Sequence, residues 1–376
     1  MRRGLLMKTM VVKIGSSTLI NNEGKLDRAY ISQLADQAMQ MRLIGWQLVI
    51  VSSGAVACGL DTLGISERPT DMPSLQAAAS VGQISLASAY DEEFSLRGLS
   101  SSLVLLTRHD TANRHAYLHA RDTMTRLLEL GVTPIVNEND TTSIEEIRFG
   151  DNDTLAAVVS CLIQADLCVI CSDIDGLYTA NPQLDPSARL IECVERIDTD
   201  ILGLAGDSTS SVGTGGMITK LKAARVLMTA GIPMVICHGH EQHQLINLAQ
   251  GKSVGTRFVP QVESSDIAPR KLWIALGDQI HGTLFVDHGA YNALVNQGSS
   301  LLAVGIKRVQ GSFVSGSLVD IVDNTGFVFA RGLVGASSDE IMLAAGRQQN
   351  EIDANRLLVE LTHRSVVRRD DMVVFA

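Results

Sequence analysis

The first 260 or so residues alternate short apolar runs with longer stretches of helical periodicity. The apolar runs are rich in β-branched residues, which favours strands. They lie at 9–14, 47–52, 101–106, 133–137, 167–172 and 233–237. The helical stretches between them include 28–43, 74–94, 114–130 and 155–164. This alternation predicts an α/β fold in which a mainly parallel sheet is sandwiched by helices.

The pattern changes after about residue 260. The segment 261–266 is polar, which is typical of a linker. From Trp273 onward, short β runs recur with glycine turns between them. They lie at 282–287, 301–306, 308–313, 317–322 and 327–332. We therefore expect one domain over 1–262 and a second, smaller β-rich domain over 273–376.

Composition and charge narrow the class of protein. The chain has 376 residues, 45% of them hydrophobic and 19% charged, as in soluble globular proteins. Its net charge of −10 argues against a general binder of nucleic acid or of membrane surfaces. No apolar run approaches the ~18 residues that span a bilayer, and the N-terminus does not resemble a signal peptide. We expect a cytoplasmic protein with no membrane association.

Two of the six cysteines, Cys168 and Cys171, form a C-x-x-C pattern inside a predicted strand. Residues three apart in a strand point to opposite faces, which suits neither a disulfide nor a shared metal. We therefore favour a core role for these cysteines over a redox or zinc site.

Lys13 lies near the end of the first predicted strand, and Gly15, Ser16 and Ser17 follow that strand. A strand that delivers an ammonium group into a loop of small residues is suited to bind an anion, because exposed backbone N–H groups can approach it closely. The alternative is a surface lysine at the end of a strand.

Polar groups also follow the strands at 47–52 and 133–137. Ser53, Gly54 and Ala55 could hold a substrate carboxylate through a hydroxyl and free N–H groups; the alternative is a tight strand-to-helix junction. Asp140 could receive the α-amino group of an amino acid, although a solvated loop is the simpler interpretation.

Asn152 and Asp153 precede the helix predicted over 155–164. Aspartate at a helix start is ordinary capping chemistry. However, three polar residues in a row exceed what one cap needs. Asp153 could hold two lysine ammonium groups in place, and Asn152 could bind substrate.

Two further segments suggest a nucleotide. Ser172 ends the strand predicted over 167–172 and Asp173 follows it, in an arrangement that fits either a turn or an adenine-nucleotide pocket. The segment 213–220 places three glycines before Thr219 and Lys220, which is typical of a phosphate-contacting turn but also of a flexible linker. It does not match the P-loop pattern.

These loops share one edge of the predicted sheet, because ligands of parallel sheets bind at the carboxyl ends of the strands. Phosphoryl transfer needs in-line placement, positive charge on the transferring oxygens and usually Mg²⁺. Two lysines and an aspartate that orients them meet that need, so the sequence predicts a phosphoryl-transfer site.

Taken together, these motifs resemble the amino-acid kinase family. The segments that carry the resemblance are 11–16, 51–55, 136–140, 149–153, 172–179 and 213–220. The C-terminal part resembles a PUA domain through 298–306 and 311–313. The two parts together are similar to bacterial members of the family that phosphorylate L-glutamate.

The resemblance implies ATP-dependent phosphorylation of the γ-carboxylate of L-glutamate to L-glutamyl 5-phosphate, the first step of proline biosynthesis. It implies that Lys13 and Lys220 stabilise the transferring phosphoryl group and that Asp153 orients them. The residues implied for glutamate are Ser53, Gly54, Ala55, Asp140 and Asn152. The residues implied for ATP are Ser172, Asp173, Thr214, Gly215, Gly216, Met217, Ile218, Thr219 and Lys220.

The resemblance also implies Mg²⁺, bound largely through the ATP phosphates, inhibition by proline, and a dimer or tetramer. No protein ligand of the metal is named. Two features depart from the family pattern. Ser172 stands where threonine is common, and the extension before the first strand is longer than usual.

Two alternatives remain open from the sequence. One is another carboxylate, carbamate or nucleotide kinase of the same fold, which the appended β domain disfavours. The other is an RNA-binding protein, because PUA domains often bind RNA. Residues 273–376 carry 8 Lys and Arg against 11 Asp and Glu, a net charge of −3, which disfavours RNA. Local patches at Lys307 and Arg308, or Arg368 and Arg369, keep that alternative open.

Overall fold

The computed structural model describes residues 7–21, 23–107, 110–111, 113–142, 152–205, 216–261, 269–277, 279–347 and 365–375. The chain divides into two compact units, Met1–Asp266 and Ile267–Ala376. The predicted linker 261–266 lies almost wholly outside the described residues. The predicted domain limits, 1–262 and 273–376, stay predictions.

Within the described residues, the first unit is built on an eight-stranded sheet in the order β3-β4-β2-β1-β5-β7-β8-β6. The strands are β1 (Lys8–Ile14), β2 (Trp46–Ser52), β3 (Ser100–Leu106), β4 (Val132–Glu138), β5 (Leu167–Ser172), β6 (Cys193–Val194), β7 (Met234–His238) and β8 (Thr256–Phe258). All neighbours pair in parallel except β7 with β8, which are antiparallel. The mainly parallel α/β sheet expected from the sequence is confirmed.

Helices connect these strands. In chain order they are α1 (Ser16–Leu19), α2 (Arg28–Leu43), α3 (Ala55–Leu63), α4 (Met72–Ser95), α5 (Arg114–Glu129), α6 (Asn152–Leu162), α7 (Thr199–Gly203), α8 (Met217–Thr229) and α9 (Gln244–Ala249). The predicted helix over 28–43 is confirmed. The one predicted over 155–164 begins earlier, so Asn152 and Asp153 lie in its first turn.

The alternation of side chains along β1 determines the face of the sheet to which Lys13 points. Met10, Val12 and Ile14 are fully buried in the core beneath α2, α3 and α4. Lys13 therefore points to the opposite face of the sheet, where α6 lies. The strand is buried throughout most of its length, which holds the position of the ammonium group firmly.

The two cysteines of the C-x-x-C pattern are buried on opposite faces of β5, as predicted. The thiol of Cys168 hydrogen-bonds to Ser160 on α6, whereas that of Cys171 hydrogen-bonds to Tyr30 and Cys237 on the other side. All described cysteines are free thiols, and Cys193 alone among them is exposed. The core interpretation of the pair is confirmed.

Helices α3 and α4 approach each other so closely that a side chain does not fit at Gly59 of α3 or at Gly82 of α4. A Cβ atom on Gly59 would lie 1.8 Å from the carbonyl oxygen of Ala78, and one on Gly82 would lie 1.9 Å from that of Ala55. Because both neighbours are backbone atoms, the clash is relieved only by separating the helices.

We therefore expect Gly82→Ala to lower the free energy of unfolding by about 2–4 kcal/mol, although alanine is the better helix former. Urea unfolding of the variant measures the loss. Gly203→Ala is the matched control, because no atom of the described residues would lie within 4 Å of a Cβ atom on Gly203 in α7. Equal stability of the two variants would contradict the tight contact.

Within the described residues, the second unit contains a five-stranded sheet in the order β10-β9-β11-β12-β13. The strands are β9 (Gly282–Val286), β10 (Ile306–Gly311), β11 (Leu318–Val322), β12 (Val328–Val334) and β13 (Val367–Val374). The helices are α10 (Pro269–Leu276), α11 (His288–Gln297) and α12 (Ser338–Ala344). Strands β9 and β11 pair in parallel, and the other neighbours are antiparallel. The smaller β-rich domain is confirmed.

The strand expected over 301–306 is wrong. Leu301 forms only an isolated bridge with Val367, and Ala303–Gly305 form a 3₁₀ helix. Leu301, Ala303 and Ile306 are buried, so the run packs its apolar side chains through a tight turn rather than a ladder.

No helix among the described residues is long and apolar enough to cross a membrane.

Candidate active site

Three charged side chains meet beneath the carboxyl end of β1. The Lys13 Nζ atom lies 2.8 Å from Asp153 Oδ1, and the Lys220 Nζ atom lies 3.2 Å from Asp153 Oδ2. Asp153 is fully buried, and the two lysines are 8% and 5% exposed. One carboxylate therefore holds two ammonium groups that come from different parts of the chain.

Each member of this group is positioned by a regular element. Lys13 is the penultimate residue of β1, Asp153 lies in the first turn of α6, and Lys220 lies in the first turn of α8. Thr219 Oγ1 also donates to Asp153 Oδ2, at 3.0 Å. The helix α8 begins after Gly216, whose extended backbone lets its carbonyl oxygen accept from Thr219 Oγ1.

The pKa of Asp153 reflects two opposing causes. Burial alone would raise it, but the charges of Lys13 and Lys220 and their hydrogen bonds outweigh burial, so the pKa lies below its ordinary value. Asp153 therefore remains ionised under physiological conditions. The interpretation of Asp153 as an ordinary helix cap is not supported, because its side chain contacts both lysines.

This depressed pKa fixes the sign of a pH effect. A carboxyl group that binds its proton more weakly in the folded state stabilises the fold above its unfolded pKa of about 3.9 and loses that contribution as the pH falls through its folded pKa. We expect the difference in unfolding free energy between the wild type and Asp153→Asn to be constant from about pH 5 to 7 and to shrink below about pH 4. Urea unfolding across this range measures it, and a difference that grows with acidity would contradict the ion pairs.

A second cluster of polar groups lies at the end of β2. The Asn152 Nδ2 atom donates to the carbonyl oxygen of Ser52 at 2.7 Å and to Ser53 Oγ at 2.8 Å. Gly54 is the N-cap residue of α3 and has φ of +98°, a left-handed conformation that favours glycine. Ala55 begins α3, so free backbone N–H groups of the helix start follow Ser53 directly.

Sequence reasoning gave no role to three polar residues that brace this cluster. Asn137, at the end of β4, donates from Nδ2 to Gln83 Oε1 at 2.9 Å. Tyr90 and Ser52 share a hydrogen bond of 3.1 Å between their hydroxyl groups. Asn137 lies near the end of an apolar strand, and that position was a usable sequence signal. Gln83 and Tyr90 lie within a helix that mixes polar and apolar residues, and no sequence signal marked them.

The other predicted site residues are placed as follows. Ser172 ends β5, is largely buried, and donates to Asp173 Oδ1 at 3.0 Å. Asp140 lies in the turn after β4 and is partly exposed. Met217 is partly exposed and Ile218 is 43% exposed at the start of α8. Thr214 and Gly215 lie outside the described residues.

The arrangement is suited to bind an anion. The buried ammonium groups of Lys13 and Lys220 both lie on Asp153, and a Cβ atom built on Gly15 would lie 3.5 Å from Lys13 Nζ. Phosphate groups match such a site in charge and in their need for donors. Within the described ranges, no group of three or more His, Cys, Asp or Glu side chains is arranged to hold a metal ion.

Comparison with known families identifies the class of protein. Residues 8–238 match the amino acid kinase family, and residues 282–355 match the PUA domain. The chain therefore belongs to the amino acid kinase family, and it is a kinase with a C-terminal PUA domain.

Relatives that match the whole chain are more specific. The glutamate 5-kinase of Geobacter sp. (strain M21) is 43% identical, and that of Geobacter sulfurreducens is 44% identical, each over 376 residues that cover 100% of both chains. Among solved structures, carbamate kinase from Giardia lamblia bound to AMP-PNP superposes with a TM-score of 0.51 at 15% identity. It covers 68% of this chain and 99% of its own, and the likeness shows the fold alone.

Proposed function

We propose that this protein transfers the γ-phosphoryl group of ATP to the γ-carboxylate of L-glutamate, giving L-glutamyl 5-phosphate for proline biosynthesis. The observation that carries the proposal is the contact of Asp153 with both Lys13 and Lys220, next to the cluster of Asn152 and Ser53. The substrate is supported by the glutamate 5-kinases that match the chain over its full length.

In this reaction a γ-carboxylate oxygen attacks the γ-phosphorus as the bond to the β–γ bridging oxygen of ATP breaks. The acceptor is already ionised at neutral pH, so no side chain has to remove a proton from it. Negative charge builds on the transferring and leaving oxygens. Lys13 and Lys220 would stabilise that charge from fixed positions, because Asp153 holds both ammonium groups before the substrates arrive.

The acceptor would lie beside the turn of Ser53, Gly54 and Ala55. Ser53 Oγ accepts from Asn152 Nδ2, so the hydroxyl hydrogen of Ser53 can donate to a carboxylate oxygen. The N–H groups at the start of α3 add donors and the favourable end of a helix dipole. Asp140, in the turn after β4, has the charge to receive the α-ammonium group.

The nucleotide would lie between the ends of β5 and α8. Ser172 and Asp173 offer a hydroxyl and a carboxylate, and the α8 start at Gly216 offers backbone donors beside Lys220. Met217, Ile218 and Thr219 belong to the same first turn, and the resemblance adds Thr214 and Gly215. Mg²⁺ held by the ATP phosphates would supply further positive charge; both oxygens of Asp153 already face ammonium groups, so it is not proposed as a ligand.

Proline inhibition and a dimeric or tetrameric assembly belong to the same proposal, supported by the resemblance to kinases that phosphorylate glutamate. The net charge of −3 over residues 273–376 disfavours RNA as the main partner.

The test is ADP formation by the purified protein with Mg-ATP, comparing L-glutamate, L-aspartate and no acceptor, with and without proline. Hydroxylamine traps the unstable acyl phosphate as a hydroxamate. Hydroxamate that depends on glutamate is the expected result, and its suppression by proline would support the regulation. Absence of turnover with glutamate in folded, ATP-binding protein would refute the proposed acceptor and direct attention to other carboxylates.

A further inference from the structure

We propose that Gln83 is a positioning residue of the acceptor site and acts on it through Asn137. The inference rests on the proposed function, because the effect is measured on L-glutamate. Gln83 lies outside the sequence motifs, and Asn137 lies within the 136–140 segment but received no role from it.

A chain of polar contacts links Gln83 to the acceptor cluster. Gln83 Oε1 accepts from Asn137 Nδ2 at 2.9 Å, and Asn137 Oδ1 in turn lies 3.3 Å from the donor Asn152 Nδ2. The same Asn152 nitrogen donates to the carbonyl oxygen of Ser52 at 2.7 Å and to Ser53 Oγ at 2.8 Å, so Asn137 Oδ1 shares one of its two hydrogens. Two hydrogen bonds and one shared, longer contact therefore connect helix α4 to the hydroxyl group of Ser53.

Backbone groups fix the direction of this chain. The Glu138 N–H group can only donate, and it donates to Asn137 Oδ1 at 2.9 Å. Asn137 must therefore turn its Nδ2 atom toward Gln83, which has to present its oxygen. At the other end, the Ser52 carbonyl oxygen requires the nitrogen of Asn152. No amide in the chain can be reversed without placing two donors or two acceptors in contact.

Asn137 depends on Gln83 because it is only 3% exposed. A buried amide donor that loses its acceptor costs about 1–3 kcal/mol, so the Asn137 side chain would rotate to find another partner. That rotation would remove its oxygen from Asn152. The effect on the acceptor site is therefore one of geometry rather than of direct contact.

Gln83 is itself held in place by its helix. The adjacent Gly82 packs against the backbone of Ala55, where a Cβ atom would approach the carbonyl oxygen to 1.9 Å. Two turns further along α4, Tyr90 bonds to Ser52. Helix α4 is thus fixed to the same turn that would bind the acceptor, and Gln83 cannot shift independently of it.

The contact depends on one atom of Gln83. Its Nε2 atom is buried and has no hydrogen-bond partner among the residues that the structure describes. The Oε1 atom alone therefore connects Gln83 to the chain. Methionine matches glutamine in length and lacks that acceptor, which makes Gln83→Met the direct test.

We expect Gln83→Met to raise the KM for L-glutamate about 5- to 20-fold while kcat and the KM for ATP change less than about twofold, because the loss falls on acceptor positioning. Gln40→Met, at an exposed position of α2, controls for the substitution itself. A role confined to stability would lower the midpoint of thermal unfolding and leave both KM values unchanged, and that result would overturn the proposal.

A double-mutant cycle with Asn137→Ala tests the route. If Gln83 acts through Asn137, Gln83→Met adds no further increase in KM once Asn137 is truncated. If the double variant instead shows the product of the two separate increases in KM, the proposal is overturned. Gln83→Ala, which cannot clash, replaces Gln83→Met if that variant does not fold. Failure of the proposed function is distinct, since wild-type protein would then show no turnover that depends on glutamate.

Discussion

Lys220→Met is expected to lower kcat about 100- to 1,000-fold, the loss typical of removing one preorganised charge from a developing anion. Lys220 Nζ lies 3.2 Å from Asp153 Oδ2 and is almost completely buried, so water cannot replace it readily. In the proposed reaction its charge acts on oxygens that become more negative as the transfer proceeds. Steady-state assay of ADP release at saturating substrates measures the change.

The matched control for this prediction is Lys222→Met. Lys222 lies two residues further along α8 and is exposed, so its substitution should leave kcat within about twofold. Equal losses in the two variants would show that the effect is one of general charge or of helix stability. Full activity of Lys220→Met would remove this lysine from the transfer step.

Asp153→Asn is the second large effect, and it is expected on both stability and activity. The substitution leaves two buried ammonium groups facing a neutral amide, and breaking buried pairs in this way costs about 3–5 kcal/mol of unfolding free energy. The two cations would then repel each other and lose their fixed positions, so we expect kcat to fall about 100-fold or more. Urea unfolding and steady-state kinetics measure the two effects separately.

Asp36→Asn serves as the control for removing a paired carboxylate. Asp36 Oδ1 lies 2.6 Å from Arg97 Nε, but the side chain of Asp36 is half exposed. Exposed pairs contribute about 0–1 kcal/mol, so stability and kcat should both change little. Wild-type activity of folded Asp153→Asn would contradict the role of the aspartate in holding the lysines.

The sequence predicted those parts of the site that depend on local pattern. Lys13 is the penultimate residue of a largely apolar strand, and strand alternation determines the face to which it points. The glycines before Lys220 and the polar pair of Asn152 and Asp153 at the start of α6 are likewise local signals. Because parallel strands end at one edge, the meeting of these three segments followed from fold class.

The supporting residues could not be predicted in this way. Gln83 and Asn137 are separated by 54 positions, and their contact depends on how α4 packs against the ends of β2 and β4. The close approach of α4 to α3 at Gly59 and Gly82 is part of that packing. Such contacts are properties of tertiary packing, which hydrophobic periodicity does not encode.

The C-terminal unit shows the same limit. Strand β13 places two arginines and two aspartates in its middle, which interrupts the apolar alternation that marks a strand. It lies at the edge of the sheet, where charged side chains reach water. Conversely, the apolar run at 301–306 has the composition of a strand but turns too tightly to pair.

The burial of the Lys13, Asp153 and Lys220 cluster couples the fold to any anion that binds beside it. Both ammonium groups leave water when the chain folds, and this loss of hydration opposes folding. An anion that binds the folded chain there, and not the unfolded chain, adds RT ln(1 + [L]/Kd) to the free energy of unfolding. The stability of the folded chain therefore rises with the concentration of that anion.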